Sequence, residues 1–299
     1  MSEPIHPFKS AEGEAHYRAA YEASLGLWPF PCRSRDVITP YGLTHINLSG
    51  SEDAFPLILL HGGYASSTMW FPNAADLSAE YYVLAPDMIG EPGMSLPSRT
   101  NATCQDCAAW LVGLLDALRI AKAHVVGLSR GGWLALNLAI HAPGRVAGIG
   151  LLSPAASFIP LKPFFRAVAA ATMRIPNRSA LRAALYTWVA PGFRIHPVYT
   201  EQFILGLKNW DWQTNKNGYS GVMPAAFGAE ELSGVHSPVL MLTGDHDRLN
   251  PPSTIGRAKG LIPQLEGEVI ANAGHMLSME QPAQVDARIL KFLAGVNRN

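Results

Sequence analysis

Five consecutive residues, Gly127-Leu128-Ser129-Arg130-Gly131, carry the spacing G-x-S-x-G. They join an apolar run, AHVVGLS, directly to a helix-like run, GGWLALNLAIHAP. A serine on a tight strand-to-helix turn has a strained backbone, and flanking glycines let neighbouring chains pass without a Cβ clash. Its hydroxyl then projects into a cleft at a helix N-terminus, where unpaired N–H groups and the helix dipole favour developing negative charge. Acyl transfer asks for this arrangement, so Ser129 is the candidate nucleophile and the Arg130 N–H is one candidate oxyanion donor. The second donor is expected from the His-Gly-Gly turn of PLILLHGGYASS, with the Gly63 N–H assigned and Tyr64 as the alternative.

Serine is a poor nucleophile at neutral pH and needs a base that titrates near it, for which ten histidines are available. His275 lies in NAGHMLSMEQP, a Gly-His loop between the last predicted strand and the last predicted helix. That is where a base belongs in the chain order serine, acid, histidine. The imidazolium formed when Ser129 loses its proton needs a buried carboxylate to stabilise it and fix its tautomer. TGDHDRLNPP offers Asp245 and Asp247 after its strand, and Asp247 is preferred because it sits one step further into the loop. Asp87, in a Gly- and Pro-rich turn ahead of Ser129, reads as structural, as does His61 at a strand end. His6, His16, His45, His124, His141, His196 and His236 read as surface or packed side chains, and His246 adjoins the acid without a base's geometry. Cys104 and Cys107 form a C-x-x-C at the start of a predicted helix marked by Thr103 and Asp106. With no second Cys or His pair nearby in sequence, a structural role outweighs a zinc or redox one.

Positioning these residues requires a parallel sheet. Four apolar runs, 56–63, 81–87, 123–129 and 146–154, read as strands buried on both faces, separated by helical patterns at 68–80, 103–119 and 130–141. Such alternation implies right-handed crossovers and an α/β fold, a mostly parallel central sheet with helices on both faces. It resumes at 237–247, followed by a helix near 253–259, a strand at LEGEVIAN and a closing helix at 282–293. The core is therefore expected at 1–154 and 233–299. An amphipathic helix at about 13–28 and two strands, 37–39 and 43–48, with their turn marked by Gly42, stand at its front. The intervening 155–232 reads as a helical cap insertion over the C-terminal edge of the sheet, where ligands of open α/β sheets bind. Its Phe164, Phe165, Tyr186, Trp188, Phe193, Trp210, Trp212 and Phe227 either line a substrate or pack on one another, and Pro176, Pro191 and Pro197 break it. Trp70, just past the His-Gly-Gly turn, borders the pocket or belongs to the core.

Composition bounds the rest. Of 299 residues 48% are hydrophobic and 15% charged, which excludes a disordered chain. The 23 basic and 23 acidic residues balance, so no net field favours nucleic acid or an anionic membrane. The first residues lack a secretory pattern and no stretch stays apolar long enough to span a bilayer, from which a soluble cytoplasmic protein is expected. Three cysteines do not make a disulfide framework. No motif asks for a metal or organic cofactor, and serine chemistry needs neither.

The chain resembles the α/β-hydrolase superfamily through HGG at 61–63, the PDMIGEPGMS turn at 86–95, GLSRGG at 127–132, GDHDRLNPP at 244–252 and GH at 274–275. The resemblance spans about 35–155 and 235–297. Family members commonly carry D-x-x-G-x-G-x-S after the fourth strand; here Glu91 and Pro92 lengthen the spacing from Gly90 to Gly93. With YEASLGLWP and TPYGLTHINLSG at the front, the chain is similar to a branch of bacterial carboxylesterase-like hydrolases. The triad together with an aromatic cap makes a carboxylesterase acting on small, rather apolar esters the expected function. The same triad also suits a lactonase, a thioesterase, a carbon–carbon bond hydrolase or a cofactor-free perhydrolase. A non-catalytic receptor for a small ligand typically lacks a triad member, and none is missing here. The oligomeric state is not legible.

Overall fold

Successive residues of the apolar runs face opposite ways, and each run is buried twice over. In the computed structural model, which describes residues 7–29, 32–99, 103–163, 177–212 and 224–298, the strands are β1 (Arg33–Thr39), β2 (Gly42–Ser49), β3 (Pro56–Leu60), β4 (Tyr82–Pro86), β5 (Leu96–Pro97), β6 (Ala123–Leu128), β7 (Val146–Leu152), β8 (Val239–Gly244) and β9 (Glu266–Ile270). They form one sheet in the order β1-β2-β4-β3-β6-β7-β8-β9, with the short β5 paired to β2. β1 and β2 are antiparallel to their neighbours, and β4, β3, β6, β7, β8 and β9 run parallel.

Ile58, Leu60, Val125, Ile149 and Met241 point to one face, where they meet Trp110 and Leu114 of α3 (Cys104–Ala117), Trp133 and Leu136 of α4 (Arg130–His141) and Ile255 of a later helix, Ser253–Leu261. Their strand neighbours Leu57, Leu59, Val126, Leu152, Leu240 and Leu242 point to the other face. There they meet Leu77 of α2 (Ala74–Glu80) and Val285, Ile289 and Phe292 of the closing helix, Pro282–Val296. The period-2 pattern of the pleat thus divides one hydrophobic strand between two cores.

Two helices differ in extent from the sequence reading. The stretch expected as one helix over 68–80 is a 3-10 turn, Ser67–Trp70, followed by α2. Pro72 between them has no N–H to continue the ladder. The first helix, α1, runs Ala11–Leu25, earlier than expected, because the Ser10 side chain caps it by accepting from the Gly13 N–H at 3.1 Å. At α3 the expected start holds: Thr103 and Asp106 form a reciprocal capping box. Cys104 and Cys107 are free thiols on that helix, the second buried among the core residues.

The segment between β7 and β8 contributes α5 (Arg178–Tyr186), α6 (Pro197–Asn209) and α7 (Ala229–Ser233). Phe164, Phe165 and Pro176 lie outside the described residues. α1 packs along α6, with Phe8, Tyr17, Tyr21 and Trp210 forming a separate aromatic cluster. Leu232 of α7 belongs instead to the core beneath the sheet. Gln202 of α6 joins the layers: its amide donates to the Ser66 Oγ at 2.7 Å and accepts from the Thr68 Oγ1 at 2.8 Å. Among the described residues no helix is long and apolar enough to cross a membrane.

Candidate active site

Ser129 is the first residue past β6 and stands at φ 54, ψ −113, a left-handed backbone in which a side chain is strained. The fold holds it there from both sides. Its N–H donates to the Leu152 carbonyl at 2.8 Å, and its own carbonyl accepts from Ala155 at 3.0 Å. The turn is tight enough that a Cβ on Gly131 would come within 2.1 Å of the Leu60 carbonyl oxygen. Glycine is required here by close approach, since α4 crosses directly over the end of β3.

The acid and base come from the next strands of the same sheet edge. The loop after β8 places Asp247 with 4% of its surface exposed, and the loop after β9 places His275 with 7% exposed. His275 Nδ1 lies 3.0 Å from Asp247 Oδ2. The other carboxylate oxygen, Oδ1, accepts from the Leu249 and Asn250 N–H groups at 2.8 and 2.9 Å. Burial pushes the Asp247 pKa up, but the His275 ring opposite it, with these hydrogen bonds, outweighs burial and holds the carboxyl below the ordinary 3.8. Asn250 then donates its side-chain amide to the Ser153 carbonyl at 2.9 Å, and the Ser153 N–H donates to Leu242 at 2.8 Å. A chain of hydrogen bonds therefore runs from the acid loop through Ser153 to the segment that holds Ser129. Among the described residues no hydrogen bond joins the Ser129 hydroxyl to His275. Such bonds commonly close only around a bound substrate.

Asp245 is spent otherwise. Its carboxylate accepts from the Asn272 and Ala273 N–H groups, both at 3.0 Å, bracing the loop that carries His275. Asp87 is fully buried and accepts from the Ser67 N–H and Oγ and from the Met94 N–H, which folds its turn. His61 uses both ring nitrogens, Nδ1 against the Gly62 carbonyl and Nε2 accepting from the Met88 N–H, each at 2.8 Å. Burial drives its pKa down to about 4, so it is neutral and occupied. His45 pairs with Asp36, and His124 is bound to Asn297. Trp70 is fully buried in the core.

At the His-Gly-Gly turn, Gly63 lies against Arg130: a Cβ there would sit 3.8 Å from the Arg130 Cβ. The two candidates for the second donor differ in their commitments, because the Tyr64 N–H already donates to Glu91 Oε2 at 2.7 Å. Two residues that the sequence reading did not connect with the histidine bear on it, Glu280, which it did not name, and Trp188, which it listed only among the aromatics of the insertion. Glu280, 6% exposed, accepts from the N–H groups of Gly274, Met276 and Ala190 at 2.9, 3.0 and 2.6 Å. Trp188 accepts the His275 N–H on its carbonyl at 2.7 Å, and its ring lies 5.5 Å from the imidazole. The signal for Glu280 was an isolated acid among Met and Leu, five positions after the histidine. Nothing in sequence pointed from Trp188 to residue 275.

The family model described as alpha/beta hydrolase fold matches residues 56–282. The chain belongs to the α/β-hydrolase family. This hydrolase is 38% identical over 98% of its length to a Bacillus subtilis (strain 168) protein named uncharacterized carboxylesterase nap, covering 97% of that relative. It is 36% identical to carboxylesterase YbfK of the same strain, over 96% of this chain and 97% of the other. The crystal structure of naproxen esterase (carboxylesterase NP) from Bacillus subtilis superposes with a TM-score of 0.89 at 38% identity, covering 95% of this hydrolase and 99% of that chain.

Proposed function

We propose that this hydrolase is a carboxylesterase that cleaves small, relatively apolar carboxylic esters through an acyl-enzyme on Ser129. The observation that carries the reading is the buried 3.0 Å contact between His275 Nδ1 and Asp247, on the sheet edge where the strained Ser129 stands. The near full-length likeness to two carboxylesterases supports the choice of esters. In this reading the imidazole Nε2, kept free of its proton by the Nδ1–H to Asp247, takes the Ser129 proton as Oγ attacks the ester carbonyl. The N–H groups of Gly63 and Arg130 hold the oxyanion, Gly63 rather than Tyr64 because the Tyr64 N–H is already donated to Glu91. His275 passes the proton to the departing alcohol, and water then deacylates Ser129 by the reverse steps. Of the expected cap, α5, α6 and the loop between them act as a cover that rests on the base's loop through Trp188 and Ala190, whereas α7 packs into the core.

Hydrolysis of p-nitrophenyl esters of short and medium acyl chains by the wild type and by Ser129→Ala tests the reading. The variant is expected to lose at least about 10³-fold in kcat. A Ser129→Ala protein that keeps most of the activity, or a folded wild type inert both to esters and to a fluorophosphonate probe, overturns it.

A further inference from the structure

The turn after β4 departs from its family pattern by containing Glu91 and Pro92, and the fold buries that glutamate almost completely, with 3% of its surface exposed. A carboxylate that deep must be matched to donors. Glu91 has two, and they belong to the two different chain segments that would supply the oxyanion donors. Oε2 accepts the Tyr64 N–H at 2.7 Å, one residue beyond Gly63. Oε1 lies 3.1 Å from Nε of Arg130, the residue directly after Ser129. Tyr64 stands at φ 65, a left-handed backbone that a bulky residue adopts only when something holds it. The Arg130 stem also runs along Gly63, with Cδ 3.7 Å from where a glycine Cβ would be. One buried carboxylate therefore clamps the turn after β3 to the start of α4.

We propose that Glu91 is a positioning residue for the oxyanion hole: its two oxygens fix the distance and orientation between the Gly63 and Arg130 N–H groups. The inference rests on the esterase reading of Ser129 and adds a residue to it. Donors aimed at a developing oxyanion stabilise the transition state more than the ground state. Loosening their spacing therefore lowers kcat and leaves KM nearly unchanged. Removing a single oxyanion donor costs about 10²–10³-fold in kcat, so misplacing one is expected to cost about 10–10²-fold.

The experiment compares wild type, Glu91→Ala and Glu91→Gln on p-nitrophenyl butyrate, with inhibition by a boronic acid that forms a tetrahedral adduct on Ser129 and melting curves for each protein. Glutamine keeps the size and an acceptor for the Tyr64 N–H, and loses both the charge and the acceptor that face Arg130 Nε. Both variants are expected to fall about 10–10²-fold in kcat, with KM within about threefold and boronate affinity falling in parallel with kcat. A folded Glu91→Gln protein with kcat within twofold of wild type overturns the proposal, and so does a loss expressed wholly in KM. If Glu91→Ala fails to fold, Glu91→Gln decides. A Glu91→Gln protein that also fails to fold counts against the proposal, since a role confined to the donors does not carry the fold. Wild-type activity that survives Ser129→Ala would sink the esterase reading itself, an outcome distinct from any of these.

Discussion

Replacing Asp247 by asparagine tests the acid's role with almost no change of shape. Its Oδ1 holds the Leu249 and Asn250 N–H groups at 2.8 and 2.9 Å, so an asparagine carbonyl retains those bonds and turns its amide N–H toward His275 Nδ1. That nitrogen must then accept, which moves the ring proton to Nε2, the wrong tautomer for taking a proton from Ser129. The charge is lost as well. The imidazolium and carboxylate meet at 3.0 Å, and unit charges centred about 4 Å apart interact by about 4 kcal/mol at an effective dielectric near 20. A loss of about 4 kcal/mol is about three decades in rate. Asp247→Asn is therefore expected to lower kcat/KM for p-nitrophenyl butyrate by about 10³-fold between roughly pH 6 and 9, with cooperative melting preserved. Asp245→Asn is the control: its carboxylate serves Asn272 and Ala273, so kcat/KM should stay within about tenfold. A folded Asp247→Asn enzyme within tenfold of wild type refutes the assignment, and a larger loss in Asp245→Asn than in Asp247→Asn transfers it.

Two further predictions concern the scaffold. Asp286 is buried in the closing helix, with Oδ1 accepting from the Asn73 amide at 2.8 Å and Oδ2 unpartnered; burial pushes its pKa up to about 8. An acid with a raised folded pKa binds its proton more tightly when folded. Its contribution is therefore fully present below the ordinary carboxylate value and is lost as pH rises to about 8, at no more than about 1.4 kcal/mol per pH unit. Urea unfolding should show wild type weakening from about pH 6 to 8 more than Asp286→Asn does, and parallel curves for the two proteins would remove the effect. Gly131→Ala forces a methyl within 2.1 Å of the Leu60 carbonyl oxygen, a backbone clash expected to cost about 3 kcal/mol, the upper end for overpacking. A melting temperature equal to wild type would show that the crossing of α4 over β3 can open.

Much of the candidate site's geometry was legible because it is attached to backbone requirements. A serine between a buried strand and a helix, with glycine at both flanks, leaves few other conformations, and Ser129 stands in the left-handed region that the pattern demanded. The N-terminal boundary of α3 followed from its capping box for the same local reason. Pro72 was legible too and went unused, which joined a 3-10 turn to α2 in the sequence reading. The choice of Asp247 over Asp245 rested on one step of loop length, and the fold distinguishes them by what each carboxylate reaches. The aromatic residues between β7 and β8 could not be sorted from composition. Trp210 is fully buried with Phe8, Tyr17 and Tyr21, whereas Trp188 lies against the His275 ring.

Local patterns in the chain were enough to settle the alternation of strands and helices, the sharp bend at Ser129 and the caps, because each depends on neighbours within a few residues of one another. Contacts between distant segments were decided only when the chain closed on itself. Glu91 meets Arg130 and Tyr64, and Glu280 gathers Gly274, Met276 and Ala190. Buried carboxylates take whichever donors the packing presents, and that depends on strand order and loop paths rather than on the residues beside them in sequence.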